Sequence, residues 1–181
     1  DVVFEIEKPE NAQGEAVLRV EDIRLLPNAQ STVSFTVHAG EIFGIAGVEG
    51  NGQQQLEQII MGLLRPKHGR ILYQKTNLLE LSQRARRRLR IAYIPSDRLK
   101  QAILPHVSLQ ENFLLGNQYD PQYVKTGLIQ TKQLKESTQR FMKQFDVRAT
   151  SAQQDAGSLS GGNQQKFVLA REVSKQPQFV L

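Results

Sequence analysis

The sequence predicts an α/β fold, in which a parallel sheet is combined with helices. Two short, continuous apolar runs at 42–46 and 91–94 have the length and composition of buried strands. The first run leads directly into a glycine-rich loop and then into a helix whose apolar residues recur at helical spacing over 56–64. Strand, glycine loop and helix in this order make up the first half of a βαβ unit, the building block of parallel sheets.

The segments before this unit are predicted to form an arm and two strands. Residues 1–15 are polar and show no sustained period, which indicates a linker or loose arm. Residues 16–26 are strand-like and stop at Pro27, and residues 31–38 alternate strictly between apolar and polar, as a half-buried strand does.

The segments after the glycine loop alternate between helix and strand. The amphipathic helix is expected to end at Arg65 and Pro66, and a short strand follows at 70–73. Residues 108–146 are helical in character, with an apolar stripe formed by Leu134, Phe141, Met142 and Phe145. A further helix is predicted over 161–174, and 179–181 is the beginning of another buried strand.

Composition excludes several classes of protein. The chain has 181 residues, of which 39% are apolar and 23% charged, as in a globular domain. Its longest apolar run, 59–64, is far shorter than the ~20 residues of a membrane-spanning helix. It has no cysteine and only three scattered histidines, which excludes disulfides and thiol catalysis and disfavours a histidine metal site. Because the chain starts at Asp1 without a methionine, we expect it to be a piece of a longer protein.

The net charge of +5 comes from one segment, 84–90, which holds five arginines. Without them, basic and acidic residues balance. Nucleic-acid-binding proteins usually spread their basic residues along a whole face. The run is therefore interpreted as a solvated helix face, with contact to phosphates or lipid headgroups as the alternative.

The glycine-rich loop has the frame of a phosphate-binding loop, G-x-x-x-x-G-K-[ST]. Its eight residues are Gly47, Val48, Glu49, Gly50, Asn51, Gly52, Gln53 and Gln54. Glycines allow backbone N–H groups to turn towards an anion, and the N-terminus of the following helix favours negative charge. However, neutral Gln53 replaces the lysine, Gln54 replaces the hydroxyl that holds Mg²⁺, and Glu49 adds a negative charge. A purely structural turn between strand and helix is the alternative interpretation.

A second glycine motif stands about 110 residues further on, directly before a predicted helix. It consists of Leu159, Ser160, Gly161, Gly162, Asn163 and Gln164, followed by Gln165 and Lys166. Ser160 is a good residue to begin a helix, and the two glycines leave the first N–H groups accessible to a phosphate. An ordinary helix cap is the alternative, but the complete L-S-G-G-x-Q string at this place rarely arises by accident.

These motifs resemble the nucleotide-binding domain of ABC (ATP-binding cassette) transporters, from about residue 16 to the end. The Gly47-to-Gln54 loop is similar to Walker A, and Leu159 to Gln164 to the ABC signature. Ser96, Asp97 and Arg98 lie in a stretch that looks like the P-[ES]-D-R element of the second, degenerate cassette of sugar-type importers. In that family the stretch borders the site and leads to the membrane subunit. A local Asp97–Arg98 pair that stiffens a turn is the alternative.

The resemblance implies an ABC cassette with a P-loop NTPase-like α/β core, a small antiparallel β part and a helical subdomain, truncated before the Walker B aspartate. On this basis residues 16–107 hold the β and P-loop core, 108–157 the helical subdomain, and 158–181 the signature helix and the start of the Walker B strand. No catalytic residue lies within the fragment, so we do not expect the fragment alone to hydrolyse ATP.

The resemblance also implies a function. The domain would belong to the ATP-binding subunit of a sugar or nucleoside importer, with ATP and Mg²⁺ as cofactors that its own Walker A site binds weakly or not at all. It would lend Ser160, Gly161 and Gly162 to a partner cassette, which is expected in the same parent chain. Its other expected partners are transmembrane permease subunits and, indirectly, a solute-binding protein, at the cytoplasmic face of the membrane. Nucleic acid is not an expected partner.

Two departures from the family bear on this interpretation. The Q-loop glutamine is missing after Ile94, and no aromatic residue stands in 18–26 to stack on adenine, although Ile23 or Leu25 could pack there. Two alternatives stay open: a catalytically active ATPase site, and a non-transport ABC protein that acts on nucleic acid or ribosomes.

Overall fold

The computed structural model describes residues 14–26, 31–48 and 50–181, apart from the side chains of Arg87 and Arg98. Most of the expected N-terminal linker, the break at Pro27, and Glu49 therefore lie outside the described residues. The chain divides between Arg86 and Arg87 into two compact units. None of the helices in the described part is long and apolar enough to cross a bilayer.

The first unit contains a four-stranded antiparallel sheet in the order β2-β1-β3-β4. The strands are β1 (Ala16–Ile23), β2 (Val33–His38), β3 (Arg70–Tyr73) and β4 (Thr76–Asn77). The central strand β1 pairs with β2 on one side and with β3 on the other, and its apolar residues Leu18, Val20 and Ile23 are buried. The strands predicted at 16–26, 31–38 and 70–73 are thus confirmed.

Helix α1 (Gln53–Met61) follows the glycine-rich loop, as predicted, and buries Leu56, Ile59 and Ile60. It ends earlier than expected, at Gly62, whose left-handed backbone (φ 76°) lets its N–H bond back to the helix. Leu63 and Leu64 therefore fall outside the helix and are largely exposed.

The predicted buried strand at 42–46 is wrong in this structure. Residues 41–48 adopt no regular secondary structure, and Ile42 and Ile45 are 100% and 50% exposed. A central strand depends on hydrogen-bonded neighbours on both sides. No described strand pairs with this segment, so its apolar composition alone does not make it a strand.

The interpretation of the arginine run as a solvated face is wrong for Arg86. This residue lies on the short helix α2 (Gln83–Arg87) and is only 5% exposed. Its guanidinium donates hydrogen bonds to the carbonyls of Ile59, Ile60 and Leu81. It therefore secures the C-terminus of α1, while Arg84, Arg88 and Arg90 are exposed, as expected.

The second unit combines a parallel strand pair with four helices. Strand β5 (Ile91–Ala92) pairs in parallel with β8 (Phe179–Val180), which confirms strands at both predicted places. A hairpin that was not predicted, β6 (Val124–Lys125) and β7 (Leu128–Ile129), interrupts the helical region. The helices are α3 (Arg98–Gln101), α4 (Leu109–Leu114), α5 (Thr131–Gln144) and α6 (Gly161–Val173).

One apolar core holds the helices of this unit together. Phe113 on α4 contacts Tyr123 edge-on at 5.8 Å and stacks with Phe141 at 5.6 Å. Leu134 and Met142 are buried, and Phe141 and Phe145 pack against the same core, so the predicted stripe on α5 is confirmed. Helix α6 contributes Phe167 and Val168 to this core, which fixes the helix that carries the second glycine motif.

Candidate functional site

The glycine-rich loop reaches α1 through two residues with left-handed backbones. Gly50 and Gly52 have φ angles of 89° and 105°, which favour glycine. Gly52 is the N-cap residue, directly before the first residue of α1, and a Cβ there would lie 2.9 Å from the Leu25 side chain. Glycine is therefore required at 52 both for its backbone and for its close approach to Leu25.

The Gln53 side chain turns back onto the loop. Its amide nitrogen donates to the Val48 carbonyl at 3.2 Å, and a Cβ at Gly47 would lie 2.2 Å from that nitrogen. The backbone N–H of Asn51 bonds to the same carbonyl at 3.2 Å. The position that carries a cation in a phosphate-binding loop here holds a neutral amide, hydrogen-bonded within the loop.

The donors at this loop do not fit a magnesium–phosphate pair. Gln54 is exposed and offers only an amide oxygen, whereas Mg²⁺ prefers carboxylates, hydroxyls and phosphate oxygens in strict octahedral geometry. Among the residues that the structure describes, no group of three His, Cys, Asp or Glu side chains is placed to hold a metal ion. The groups of this loop that can face an anion are its backbone N–H groups and the N-terminus of α1, whose first turn carries no acidic residue.

Adenine packing through Ile23 is excluded by burial. Ile23 is 0% exposed in the core of the first unit, so its side chain is not available to a ligand. Leu25 is half-buried, with its side chain against Gly52.

The second glycine motif forms the N-terminus of α6, and Ser160 is the N-cap residue of this helix. Leu159 and Gln164 point inwards: both are buried, and the Gln164 amide donates to the Ala156 carbonyl at 3.3 Å. Ser160, Gly161 and Gly162 are exposed. Apart from its chain neighbours and the backbone of its own helix, no atom lies within 4 Å of the place where a Cβ at Gly162 would stand. The motif thus anchors itself through two side chains and presents its serine and glycines to the outside.

The Ser160 hydroxyl makes no capping hydrogen bond to the helix. Instead it accepts a hydrogen bond from the Asn163 side chain at 2.9 Å. The oxygen of the same Asn163 amide accepts from the backbone N–H of Arg148 at 2.9 Å. The first-turn N–H groups of α6 are consequently left uncapped by this hydroxyl, which is the arrangement that binds anions at helix N-termini.

An ion pair joins α6 to the corner that follows α5. Lys166 Nζ lies 2.6 Å from an Asp146 carboxylate oxygen and 3.1 Å from its backbone carbonyl. The hydrogen bond and the charge of Lys166, and more weakly the charge of Arg148, hold the pKa of Asp146 below its usual value. Sequence reasoning missed Asp146 and Arg148, because their role arises only when α5 and α6 pack together.

Ser96, Asp97 and Arg98 lie at the start of α3, with Ser96 exposed. Asp97 accepts a hydrogen bond from the backbone N–H of Lys100 at 3.2 Å, and its carboxylate lies 3.2 Å from Lys100 Nζ. The Lys100 N–H is the main cause of the lowered pKa of Asp97. In this structure Asp97 thus caps α3 and pairs with Lys100; the side chain of Arg98 is outside the description.

Comparison with known proteins identifies the family. The ABC transporter family profile matches residues 30–181. The chain is 31% identical over 184 residues to the nucleoside import ATP-binding protein NupA of Lactococcus lactis and 31% identical over 185 residues to the guanosine import ATP-binding protein NupO of Bacillus subtilis. It is 32% identical over 174 residues to the ribose import ATP-binding protein RbsA of Chromobacterium violaceum. The matches cover 99%, 100% and 96% of this chain, but only 36%, 36% and 34% of the relatives, so the chain spans about a third of their length.

Solved structures agree on the fold. The ATP-binding cassette MJ0796, a dimer in a post-hydrolysis state bound to ADP and Pi, matches with a TM-score of 0.71 at 18% identity, over 90% of this chain and 72% of that chain. A nucleotide-free cassette from an ABC transporter matches with a TM-score of 0.68 at 20% identity, over 92% and 68%. These likenesses confirm the predicted fold class. The chain belongs to the ABC transporter family and has the fold of an ATP-binding cassette.

Proposed function

We propose that this chain is one cassette of the ATP-binding subunit of an ABC importer for a sugar or a nucleoside. Three relatives are named as nucleoside, guanosine and ribose import ATP-binding proteins. In this role the chain works with transmembrane permease subunits at the cytoplasmic face of the membrane and, through them, with a solute-binding protein. It is the second, degenerate cassette, and its partner is another cassette of the same parent protein.

The exposed N-terminus of α6 carries the proposal. Ser160, Gly161 and Gly162 are exposed, with open space over Gly162. An anion brought in by a second molecule or domain can reach the first-turn N–H groups of α6 and the Ser160 hydroxyl without any rearrangement of the helix. These groups therefore serve to bind the terminal phosphate of an ATP molecule held by the partner cassette.

The loop of this chain has a lesser role in the proposal. Gln53 brings no positive charge to a phosphate, and its amide is hydrogen-bonded to Val48. Gln54 is a poor magnesium ligand. The loop accordingly binds nucleotide weakly through its backbone, and productive ATP and Mg²⁺ binding depends on the partner's loop.

Two substitutions in the parent protein, reconstituted with its permease, test this division of labour. Ser160→Arg places a long, charged side chain at the exposed start of α6 and is expected to abolish transport-linked ATP hydrolysis. Gln53→Ala is expected to reduce transport-linked ATP hydrolysis far less. Gln165→Arg is the matched control, because it adds the same charge at an exposed position of α6. If Ser160→Arg and Gln53→Ala reduced transport-linked ATP hydrolysis equally, the proposal would be overturned.

The interpretation as an active ATPase predicts a different result. If the loop of this cassette hydrolyses ATP, the parent protein should keep turning over when only the partner's Walker A lysine is replaced. Under our proposal that variant is inactive. Single-turnover hydrolysis of labelled ATP distinguishes the two.

A further inference from the structure

We propose that Asn163 is a positioning residue that keeps the Ser160 hydroxyl free to act as a hydrogen-bond donor; this inference rests on the proposed role of Ser160 towards phosphate. Asn163 occupies the third position of α6, one turn from Ser160, so that its side chain reaches back over the start of the helix.

The orientation of the Asn163 amide is fixed by its neighbours. A backbone N–H can only donate, so the atom that faces the N–H of Arg148 at 2.9 Å must be the amide oxygen. The amide nitrogen then faces Ser160 Oγ at 2.9 Å and donates to it. The two contacts leave one possible assignment of oxygen and nitrogen, and that assignment makes Ser160 Oγ an acceptor.

This accepted hydrogen bond limits where the Ser160 proton can point. A hydroxyl has one proton and two lone pairs. Because Asn163 occupies one lone pair, the proton does not point to Asn163 and stays free to donate to another acceptor at this exposed residue. A hydroxyl kept free in this way donates to an incoming phosphate oxygen without first breaking a hydrogen bond to Asn163, as preorganised donors do when they stabilise anions.

Two contacts tie this arrangement to the corner after α5. Asn163 accepts from the Arg148 backbone, and Lys166, almost one turn further along α6, holds both the carbonyl and the carboxylate of Asp146. Asp146 has a left-handed backbone (φ 50°), so this corner has a defined shape. The packing of residues 146–148 on α6 therefore fixes the Asn163 amide that donates to Ser160.

The test replaces Asn163 by aspartate in the parent protein reconstituted with its permease. The aspartate still accepts from Arg148, but its second oxygen cannot donate to Ser160 and instead accepts the Ser160 proton. A hydrogen bond to a charged group is worth about 1.5–3 kcal/mol, so we expect kcat for ATP hydrolysis to fall about 10- to 150-fold, with a smaller change in KM. Gln165→Asp, exposed on the same helix, is the charge control and should stay near wild type.

A double-mutant cycle separates positioning from other effects. If Asn163 acts through the hydroxyl, Asn163→Asp has almost no further effect in a Ser160→Ala background. The inference is overturned if Asn163→Asp lowers kcat by the same factor in the wild-type and Ser160→Ala backgrounds. It is also overturned if Asn163→Asp changes kcat no more than Gln165→Asp does. If the aspartate variant does not fold, Asn163→Ala is used in the same cycle. Wild-type activity of Ser160→Ala would overturn the proposed function itself, and this inference with it.

Discussion

Replacing Arg86 by methionine is expected to loosen helix α1. Arg86 is 5% exposed, and its Nη1 donates to the carbonyls of Ile59 at 2.9 Å and Ile60 at 2.7 Å. Methionine has a similar length and keeps the apolar stem, but it donates no hydrogen bond. The substitution therefore removes the hydrogen bonds at the C-terminus of α1 while leaving a side chain of comparable size.

The Ile59 and Ile60 carbonyls are not equally affected by the loss of the hydrogen bonds from Arg86. The Ile59 carbonyl also accepts from the N–H of Gly62 at 3.0 Å and stays partly satisfied. The Ile60 carbonyl, next to a side chain that is 2% exposed, loses its charged donor. A buried carbonyl left without its partner costs about 1–3 kcal/mol, and the lost bond to Ile59 adds about 1 kcal/mol. Together they lower the free energy of opening α1 by about 2–4 kcal/mol.

Hydrogen exchange followed by mass spectrometry measures this opening directly. A change of about 2–4 kcal/mol corresponds to about 30- to 1000-fold faster exchange of the α1 amides. Arg88→Met is the matched control, because Arg88 is exposed in the same run and its loss should leave exchange unchanged. Equal protection of α1 in the two variants would refute the reasoning that Arg86 secures this helix.

Three further substitutions test other local features. Gly69→Ala should destabilise the first unit by about 2 kcal/mol or more. Gly69 has φ 94°, and a Cβ there would lie 2.5 Å from the Glu21 carbonyl oxygen. An unchanged midpoint of urea unfolding would contradict this. Ser108→Ala removes the capping box of α4 and should cost about 1 kcal/mol, checked by thermal unfolding; no loss would mean that the cap is dispensable. Lys166→Met should raise the pKa of Asp146 towards its ordinary value near 3.8, as read by NMR titration. Since the folded-state pKa is lowered, the stabilisation by this pair is present above pH ~3.8 and lost as the pH falls through the folded-state pKa; an unchanged pKa would show that the pair does not form.

Elements with a strong local pattern could be predicted from the sequence. Strands β1 to β3 and helices α1, α5 and α6 follow alternation or helical spacing, and each stands where expected. The segment at 42–46 could not be predicted correctly, because a short apolar run becomes a strand only when other strands pair with it. The hairpin of β6 and β7 was missed because each strand has only two residues.

The site was predictable to the extent that its residues are close in sequence. The glycines and Ser160 form strings whose chemistry can be read directly, and the structure places them at the N-termini of α1 and α6. The contacts of Asn163 with Arg148 and of Lys166 with Asp146 join residues 15 and 20 positions apart. The same limit explains Arg86: a run of arginines predicts exposure on average, and only the packing of α2 decides which one is buried.

The two glycine motifs differ in how they use their own hydrogen-bond groups, and this difference supports the proposed division of labour. In the loop before α1, the Val48 carbonyl accepts from both the Gln53 amide and the Asn51 N–H, so a bound phosphate gains no charge from Gln53 and competes with contacts that the loop already makes. At the start of α6, the internal contacts are made by Asn163 and Gln164, whose side chains point to the protein, while Ser160 remains exposed. An anion therefore meets an Asn51 N–H and a Gln53 amide that are already bonded to Val48 at the loop, and accessible donors at α6. Nucleotide affinity in the parent protein should accordingly respond more to changes at the start of α6 than to changes at position 53.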